Sequence, residues 1–212
     1  MVVGDLEVGK SSIVEYIKSN KFSEKYVPTK DYNCIQIELK LNKNKYDFLF
    51  IDFSGKYKID KIKEFSKRAI GIILVYDITN EKSFKYLDDL LNSFAGSDLG
   101  KIPKMLLGNK SDLDKDRKVK YEEGYAFNEK KGISFFETSP KDGWGVDDAY
   151  EIFLDNVEKY FKDYIKNNLE KPKNSFVWGR GNCNPEKAEI KPKEELKKKT
   201  NKEKSGCCDC FK

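Results

Sequence analysis

The chain has 212 residues, of which 36% are charged and 38% are hydrophobic, and its formal net charge is +5. No apolar run reaches the roughly 18–20 residues of a membrane-spanning helix, and no secretory signal is visible at the N-terminus. Histidine is absent and three of the five cysteines lie within the last six residues, which excludes His-based catalytic sites and a disulfide framework and favours a reducing compartment.

Strands and helices are predicted to alternate along most of the chain. Period-two alternation and short apolar runs predict strands over 35–41, 46–52, 70–76, 105–107 and 133–136. Helical spacing of apolar residues predicts helices over 11–20, 84–94, 122–131 and 146–165. An apolar stub at 1–3 precedes them as a short first strand. This order predicts an α/β fold with a mostly parallel sheet flanked by helices.

Charge and periodicity divide the chain into two segments. Residues 167–212 hold 12 Lys/Arg against 7 Asp/Glu, whereas residues 1–166 hold 29 of each. Periodicity also stops near Asn168, and Lys, Glu, Pro and Asn dominate beyond it, a composition typical of disordered linkers. We therefore expect a folded domain over 1–166 and a disordered lysine-rich tail over 167–212.

A phosphate-binding loop follows the first apolar stub. The stretch from Gly4 to Ser11 fits the pattern G-x-x-x-x-G-K-S, and it lies between a predicted strand and a predicted helix. Glycines permit the sharp turn that points backbone N–H groups at phosphates, and the helix adds the positive end of its dipole. Lys10 is expected to reach the β- and γ-phosphates and Ser11 to hold Mg²⁺. By itself, this loop predicts that a nucleotide is bound but does not indicate which one.

A second motif indicates which base is bound. The residues Asn109-Lys110-Ser111-Asp112 follow a predicted strand, at the edge where open α/β sheets bind ligands. An aspartate carboxylate such as that of Asp112 can accept two hydrogen bonds from the N1–H and 2-amino edge of guanine, and adenine offers no such pair. The stretch Glu137-Thr138-Ser139-Pro140-Lys141 comes after the next predicted strand.

These motifs, together with Leu74-Val75-Tyr76-Asp77-Ile78-Thr79, resemble the Ras superfamily of small GTPases over residues 1–166. Three stretches, LVYDIT, NKSDL and YEEG, look like Rab proteins, whereas 26–29 (YVPT) is similar to the first switch of Rho and Ras proteins. No helix is inserted between Asp112 and Glu137, which argues against Rho. The resemblance implies a P-loop GTPase fold with six strands, a shortened first strand, and GTP or GDP bound with Mg²⁺.

The resemblance also implies roles for individual residues. Nucleotide contacts fall on Gly4, Glu7, Val8, Gly9, Lys10, Ser11, Ser12, Phe22, Tyr26, Thr29, Gly55, Asn109, Lys110, Asp112, Ser139, Pro140 and Lys141. Among these, Phe22 would stack on guanine, Tyr26 would close over the phosphates, and the Gly55 N–H would meet the γ-phosphate. The Mg²⁺ ligands would be Ser11, Thr29 and Asp52, with Asp52 acting through water.

The second switch departs from the family at the residue that orients the attacking water. The family reads D-T-A-G-Q, and Lys56 stands at the glutamine in Asp52-Phe53-Ser54-Gly55-Lys56. Lysine has three donors and no acceptor. It neutralises phosphate charge without accepting a proton from water, so we expect slow intrinsic hydrolysis. The residues to which the resemblance assigns catalysis are Thr29 and Lys56, which stands where the family has the water-orienting glutamine.

Other departures concern the base, the phosphate loop and the first strand. Pro140 replaces an alanine whose N–H meets guanine O6, and proline has no N–H. Leu6 and Glu7 fill positions where the family favours small residues. Only three residues precede Gly4, and we expect the natural chain to begin earlier, because a strand usually needs about 5–6 residues.

The tail resembles a Rab membrane anchor. Cys207, Cys208 and Cys210 follow a stretch that contains three consecutive lysines, and the paired-cysteine pattern implies prenylation by transferase machinery. Two lipid chains, or one chain with a basic segment, hold a protein on an anionic membrane. We expect the protein at the cytoplasmic face of an intracellular membrane, and in the cytosol when extraction machinery removes it. The expected protein partners are effectors, an exchange factor and a GTPase-activating protein, none of which the sequence identifies.

Three other functions fit the sequence less well. A pseudo-GTPase scaffold fits the departures in the loop, the switches and the base site, whereas the intact Lys10, Asp52 and Asp112 oppose it. A P-loop kinase or ATPase is disfavoured by the NKSD motif. Nucleic-acid binding is disfavoured because residues 1–166 show no basic face interleaved with aromatic residues. We expect the protein to be a monomer.

Overall fold

The structure is a computed structural model, and it describes residues 1–25, 27–41, 44–66, 69–94 and 101–168. The strands of this part are β1 (Val2–Gly4), β2 (Tyr32–Leu41), β3 (Asn44–Phe53), β4 (Ile72–Asp77), β5 (Lys104–Asn109) and β6 (Ser134–Thr138). The α-helices are α1 (Lys10–Ser19), α2 (Ile59–Ser66), α3 (Glu81–Ser93), α4 (Tyr121–Lys131) and α5 (Val146–Asn168), and a 3₁₀ turn covers Ser111–Asp116.

The strands form one sheet in the order β2-β3-β1-β4-β5-β6. The β2–β3 pair is antiparallel, from Tyr32 opposite Phe53 to Leu41 opposite Asn44, and every other pair is parallel. The predicted α/β fold with a mostly parallel six-stranded sheet is therefore confirmed. The carboxyl ends of β1, β4, β5 and β6 meet at one edge, where a nucleotide-binding site is expected.

The first strand is short, and it lies centrally in the sheet. Its three residues are buried, and it pairs with β3 on one side and with β4 on the other. A further bond, from the Ile73 N–H to the Met1 carbonyl at 2.8 Å, extends the pairing by one residue. Burial and bonding on both sides hold this strand in place, and Gly4 is therefore fixed at the sheet edge.

Alternate residues of the strands face two separate apolar cores. One core joins Val3, Leu74 and Leu106 of the sheet to α2 and α3, and it also takes Phe127 of α4. The other core joins residues of the opposite sheet face to α1 and α5, and it contains Val2, Ile73, Val75, Met105, Leu107, Ile13, Val14, Ala149, Phe153 and Val157. This two-sided burial explains the nearly continuous apolar runs of β4 and β5.

Several element boundaries differ from the sequence prediction. Strand β4 begins at Ile72 and not at residue 70, because its pairing with β5 starts with Ile72 opposite Lys104. The strands β2, β3, β5 and β6 are each longer than predicted, because backbone pairing continues past their apolar residues. Helix α2 was not predicted, although its three inward residues Ile59, Ile62 and Phe65 recur at helical spacing.

Residues Met1–Phe161 form one compact unit, and a second unit is assigned to Lys162–Lys212. Of the second unit the structure describes only 162–168, which is the end of α5. The tail predicted over 167–212, including its cysteines, lies almost entirely outside the described residues.

Candidate functional site

Glycine is required at both ends of the phosphate loop. A Cβ at Gly4 would collide with the Val75 carbonyl oxygen, and one at Gly9 would collide with the Asn109 amide nitrogen. Gly9 also has a φ of 92°, in the left-handed region that favours glycine. Helix α1 begins directly after it without a side-chain cap, so the N–H groups of its first turn stay open for an anion.

Lys10 is buried at the start of α1, and its ammonium lies beneath the loop. The ammonium donates to the carbonyl oxygens of Gly4, at 3.1 Å, and Asp5. Burial lowers its pKa to about 8, although the carboxylates of Asp52 and Asp5 oppose the shift. A buried cation whose hydrogen-bond partners among the described residues are carbonyl oxygens is placed to attract phosphate oxygens.

Ser11, Thr29 and Asp52 form a cluster of oxygen atoms beside Lys10. The Ser11 hydroxyl donates to Asp52 Oδ2 at 2.6 Å, and Thr29 Oγ1 lies 3.2 Å from Ser11 Oγ and 3.4 Å from Asp52 Oδ2. Asp52 Oδ1 is buried and has no hydrogen-bond partner within the described part of the chain. The three residues come from α1, the segment after it and β3.

This cluster fits a divalent cation. Burial raises the pKa of Asp52, while hydrogen bonds from Ser11 and Thr29 and the charge of Lys10 oppose that rise. A cation there would offset the burial of the carboxylate and engage its unpartnered oxygen. Hydroxyl and carboxylate oxygens are ligands that Mg²⁺ prefers. The candidate metal site therefore consists of two hydroxyls and one carboxylate. No group of three or more Cys, Asp or Glu residues suited to metal occurs among the described residues.

The predicted base-reading residues converge at the carboxyl ends of β5 and β6. Ser139 Oγ donates to Asp112 Oδ1 at 2.8 Å, which fixes the carboxylate against the loop after β6. Asn109 is buried between two elements, since its amide donates to the Val8 carbonyl at 2.8 Å and accepts from Thr138 Oγ1 at 3.2 Å. The loops that follow β5 and β6 are called the base loops below. Asn109 joins them to the phosphate loop.

Two further residues that the sequence did not single out hold the base loops. Asp77, at the end of β4, pairs with the Lys110 ammonium at 2.6 Å. Arg117 binds both carboxylate oxygens of Glu137, at 2.6 and 2.8 Å, and also Asp114 at 2.7 Å. Asp77 could have been suspected from its place at a strand's carboxyl end, whereas nothing in the spacing marks Arg117.

The second switch begins against the phosphate loop. A Cβ at Gly55 would collide with the backbone of Asp5 and Leu6, so this segment touches the loop. The Ser54 N–H donates to the Asp31 carbonyl at 2.8 Å. Four rings from β2, β3 and the residues that follow pack together beside it, with centroids 4.9–6.3 Å apart: Tyr32, Phe53, Tyr57 and Phe65.

Lys56 follows Gly55, and its side chain is exposed. Its backbone N–H faces the Ser54 hydroxyl at 3.4 Å. A solvated ammonium at this position supplies positive charge and donors, and it has no lone pair to accept a proton from water.

The remaining predicted residues lie around the same edge of the sheet. Glu7 is exposed and has a φ of 58°, an unusual backbone conformation for this residue type. Phe22 is 38% exposed in the segment after α1, and Ser12 is half-buried on that helix. Pro140 is buried and Lys141 exposed. Tyr26 and the cysteines at 207, 208 and 210 lie outside the described residues.

No helix in the described part of the chain is long and apolar enough to cross a bilayer.

Comparison with known proteins gives consistent matches over this domain. The sequence profile of the Ras family matches residues 1–159. The chain is 32% identical to the Ras-related protein Rab-13 of Bos taurus over 176 residues, which cover 81% of this chain and 86% of that protein. It is 31% identical to the Ras-related protein rab-39 of Caenorhabditis elegans, over 77% of this chain and 74% of that protein. It is 29% identical to the Ras-related protein RABD2a of Arabidopsis thaliana, with 85% and 89% covered.

Proposed function

The chain belongs to the Ras family of small GTPases and is Rab-like, and from this we propose that it is a guanine-nucleotide switch in membrane traffic with slow intrinsic GTP hydrolysis. One observation carries the binding half of the proposal. The oxygens of Ser11, Thr29 and Asp52 lie within 3.4 Å of one another beside the buried Lys10 ammonium, and a buried Asp52 oxygen has no partner among the described residues.

The phosphate loop would bind the phosphates and Lys10 would neutralise part of their charge. Ser11, Thr29 and Asp52 would hold Mg²⁺, which when bound neutralises charge on the β- and γ-phosphates. Gly55 touches the loop beside this cluster, and its N–H is the proposed donor to the γ-phosphate. Thr29 and Gly55 would therefore report whether the γ-phosphate is present, since both belong to segments that contact the loop region.

Guanine would be selected by Asp112. Ser139 fixes this carboxylate, and Asn109 and Lys110 are held by Val8 and Asp77. A fixed carboxylate accepts from the N1–H and 2-amino groups of guanine without first having to be ordered. A base that lacks this pair of donors leaves the carboxylate poorly matched.

Slow hydrolysis follows from the chemistry of Lys56. A residue that orients the attacking water must accept from it as well as donate, and the ammonium of Lys56 has no acceptor. Leu6, 39% exposed on the loop beside Gly55, would also crowd a residue supplied by an activating protein. We therefore propose a long-lived GTP state or one that depends on a partner for its decay.

The proposal is tested by purifying the chain in Mg²⁺, denaturing it and identifying the released nucleotide by chromatography. The expected result is guanine nucleotide at close to one per chain, with GTP the larger share. Mostly GDP would contradict slow hydrolysis while leaving the binding site intact.

A pseudo-GTPase scaffold is the second candidate, favoured by the negative charge of Glu7 in the phosphate loop and by the exposed Lys56 ammonium. A folded protein that releases no nucleotide, even after incubation with excess GTP and Mg²⁺, would establish this alternative and reject the switch.

We also propose that the tail is a lipid anchor. Cys207, Cys208 and Cys210 follow a lysine-rich stretch, and two lipid chains or one chain with a basic segment give stable membrane attachment. Incubation with prenyl-transfer machinery and a labelled isoprenoid should label the chain, and a variant with all three cysteines changed to serine should stay unlabelled. Equal labelling of both would reject these sites.

A further inference from the structure

We infer that the site reads the N1 and 2-amino edge of a purine and leaves its 6-substituent unread, so that Pro140 sets an unusual nucleotide specificity. This inference rests on the proposed function, since it assumes that Asp112 binds the base. It concerns the turn after β6, which runs from Ser139 to Trp144 and is closed by their pairing.

The turn lies directly beside the base-reading carboxylate. Ser139 is buried, and its hydroxyl donates to Asp112 Oδ1 at 2.8 Å. In guanine the carbonyl at C6 is next to N1, so a base whose N1–H meets Asp112 places O6 near the residues that pack on this carboxylate. Pro140 is the next residue along the turn, and it is buried.

Two backbone donors of this turn, those of Ser139 and Asp142, are already paired within the turn. The Ser139 N–H donates to the Trp144 carbonyl at 2.9 Å. The Asp142 N–H faces the Ser139 hydroxyl at 3.3 Å. Pro140 has no N–H. Between Ser139 and Asp142 the remaining backbone donor is therefore that of Lys141, an exposed residue.

A buried donor at position 140 would distinguish a carbonyl oxygen from a weaker acceptor at C6. Without it, O6 meets only what water or an exposed group offers, and a sulfur atom there is received nearly as well, because sulfur is a weak acceptor. The 2-amino group still meets the fixed Asp112 carboxylate. The site therefore requires a 2-aminopurine with a proton on N1 and tolerates changes at C6.

The test measures dissociation constants in Mg²⁺ for three nucleotides: GDP, 6-thio-GDP and IDP, which lacks the 2-amino group. For the unmodified chain we expect GDP and 6-thio-GDP to agree within about two-fold and IDP to bind at least about ten-fold more weakly, as for a lost hydrogen bond to a charged group. Pro140→Ala should tighten GDP about three- to ten-fold and create a similar preference over 6-thio-GDP.

Pro103→Ala is the matched control, because Pro103 precedes β5 at the opposite end of that strand from Asn109, and it should leave all three constants unchanged. A five-fold or larger preference of the unmodified chain for GDP over 6-thio-GDP would overturn the inference. This comparison uses the unmodified chain alone and so does not depend on whether a variant folds. Absence of binding for every nucleotide would instead reject the proposed function, and the inference with it.

Discussion

The phosphate loop and the segment Ser54–Lys56 touch each other, yet they are built for different tasks. In the first, Lys10 is buried and donates to two carbonyls, and one Asp52 oxygen has no hydrogen-bond partner among the residues that the structure describes. In the second, Lys56 is exposed to solvent. Lysine is thus a buried cation beneath the loop in one region and a solvated charge in the other. We therefore expect a site that holds a nucleotide firmly and cleaves it slowly.

The largest expected effect comes from removing the buried cation. Lys10→Met should weaken GDP binding by roughly 30-fold to several-thousand-fold, in line with the loss of one partner of a buried charge pair. Lys18→Met, on the exposed face of the same helix and beside Glu15 at 3.8 Å, should change it less than about two-fold. Titration with a fluorescent GDP analogue measures both. Similar affinities for the two variants would reject the proposed phosphate site.

Chelation of Mg²⁺ should have the next largest effect. Asp52, Ser11 and Thr29 would lose the cation that links them to the phosphates, and we expect release of bound GDP to accelerate at least about ten-fold. Stopped-flow mixing with EDTA measures the rate, and excess Mg²⁺ should restore it. A rate that does not respond to EDTA would mean that these oxygens hold no metal.

The base loops are expected to behave like the phosphate loop, as a preassembled part. Arg117→Leu leaves the Glu137 carboxylate without the two bonds it now receives. It should lower the free energy of unfolding by about 1–3 kcal/mol. Lys85→Leu removes the exposed pair with Glu81 and should cost under about 0.5 kcal/mol. Urea unfolding compares them, and equal losses would show that the Arg117 pair carries no special weight.

The smallest effect is expected at Leu6. Its side chain is 39% exposed on the phosphate loop and supplies no acceptor, so Leu6→Gly should change single-turnover GTP hydrolysis less than about three-fold while Lys56 remains. A ten-fold acceleration would instead place the defect in the phosphate loop.

Much of the binding region could be predicted from sequence, because its residues are ordered by local rules. The glycine pattern from Gly4 to Lys10 specifies a loop, and β5 delivers Asn109 to the edge of the sheet where that loop ends. The predicted sheet follows from apolar runs that need burial on both faces. Such signals involve residues that are close together in the chain, and a single sequence is enough to recognise them.

The parts that escaped prediction depend on contacts between distant segments. Arg117 reaches Glu137 twenty residues away, and Asp77 at the end of β4 reaches Lys110 just after the neighbouring strand β5. Helix α2 was hidden because its inward residues Ile59, Ile62 and Phe65 are separated by charged ones over only eight positions. The Asp52 oxygen that lacks a hydrogen-bond partner in the described part of the chain could be found only from the placement of β3 beside α1.

The most direct test is single-turnover hydrolysis of GTP bound to the unmodified chain, to Lys56→Gln and to Lys58→Gln. Lys58 is an exposed lysine two residues further on and serves as the matched control. We predict that the unmodified chain is at least about ten-fold slower than the roughly 3–5 × 10⁻⁴ s⁻¹ of a family member with glutamine, that Lys56→Gln recovers most of that loss, and that Lys58→Gln does not. Hydrolysis by the unmodified chain at the ordinary family rate would contradict the account.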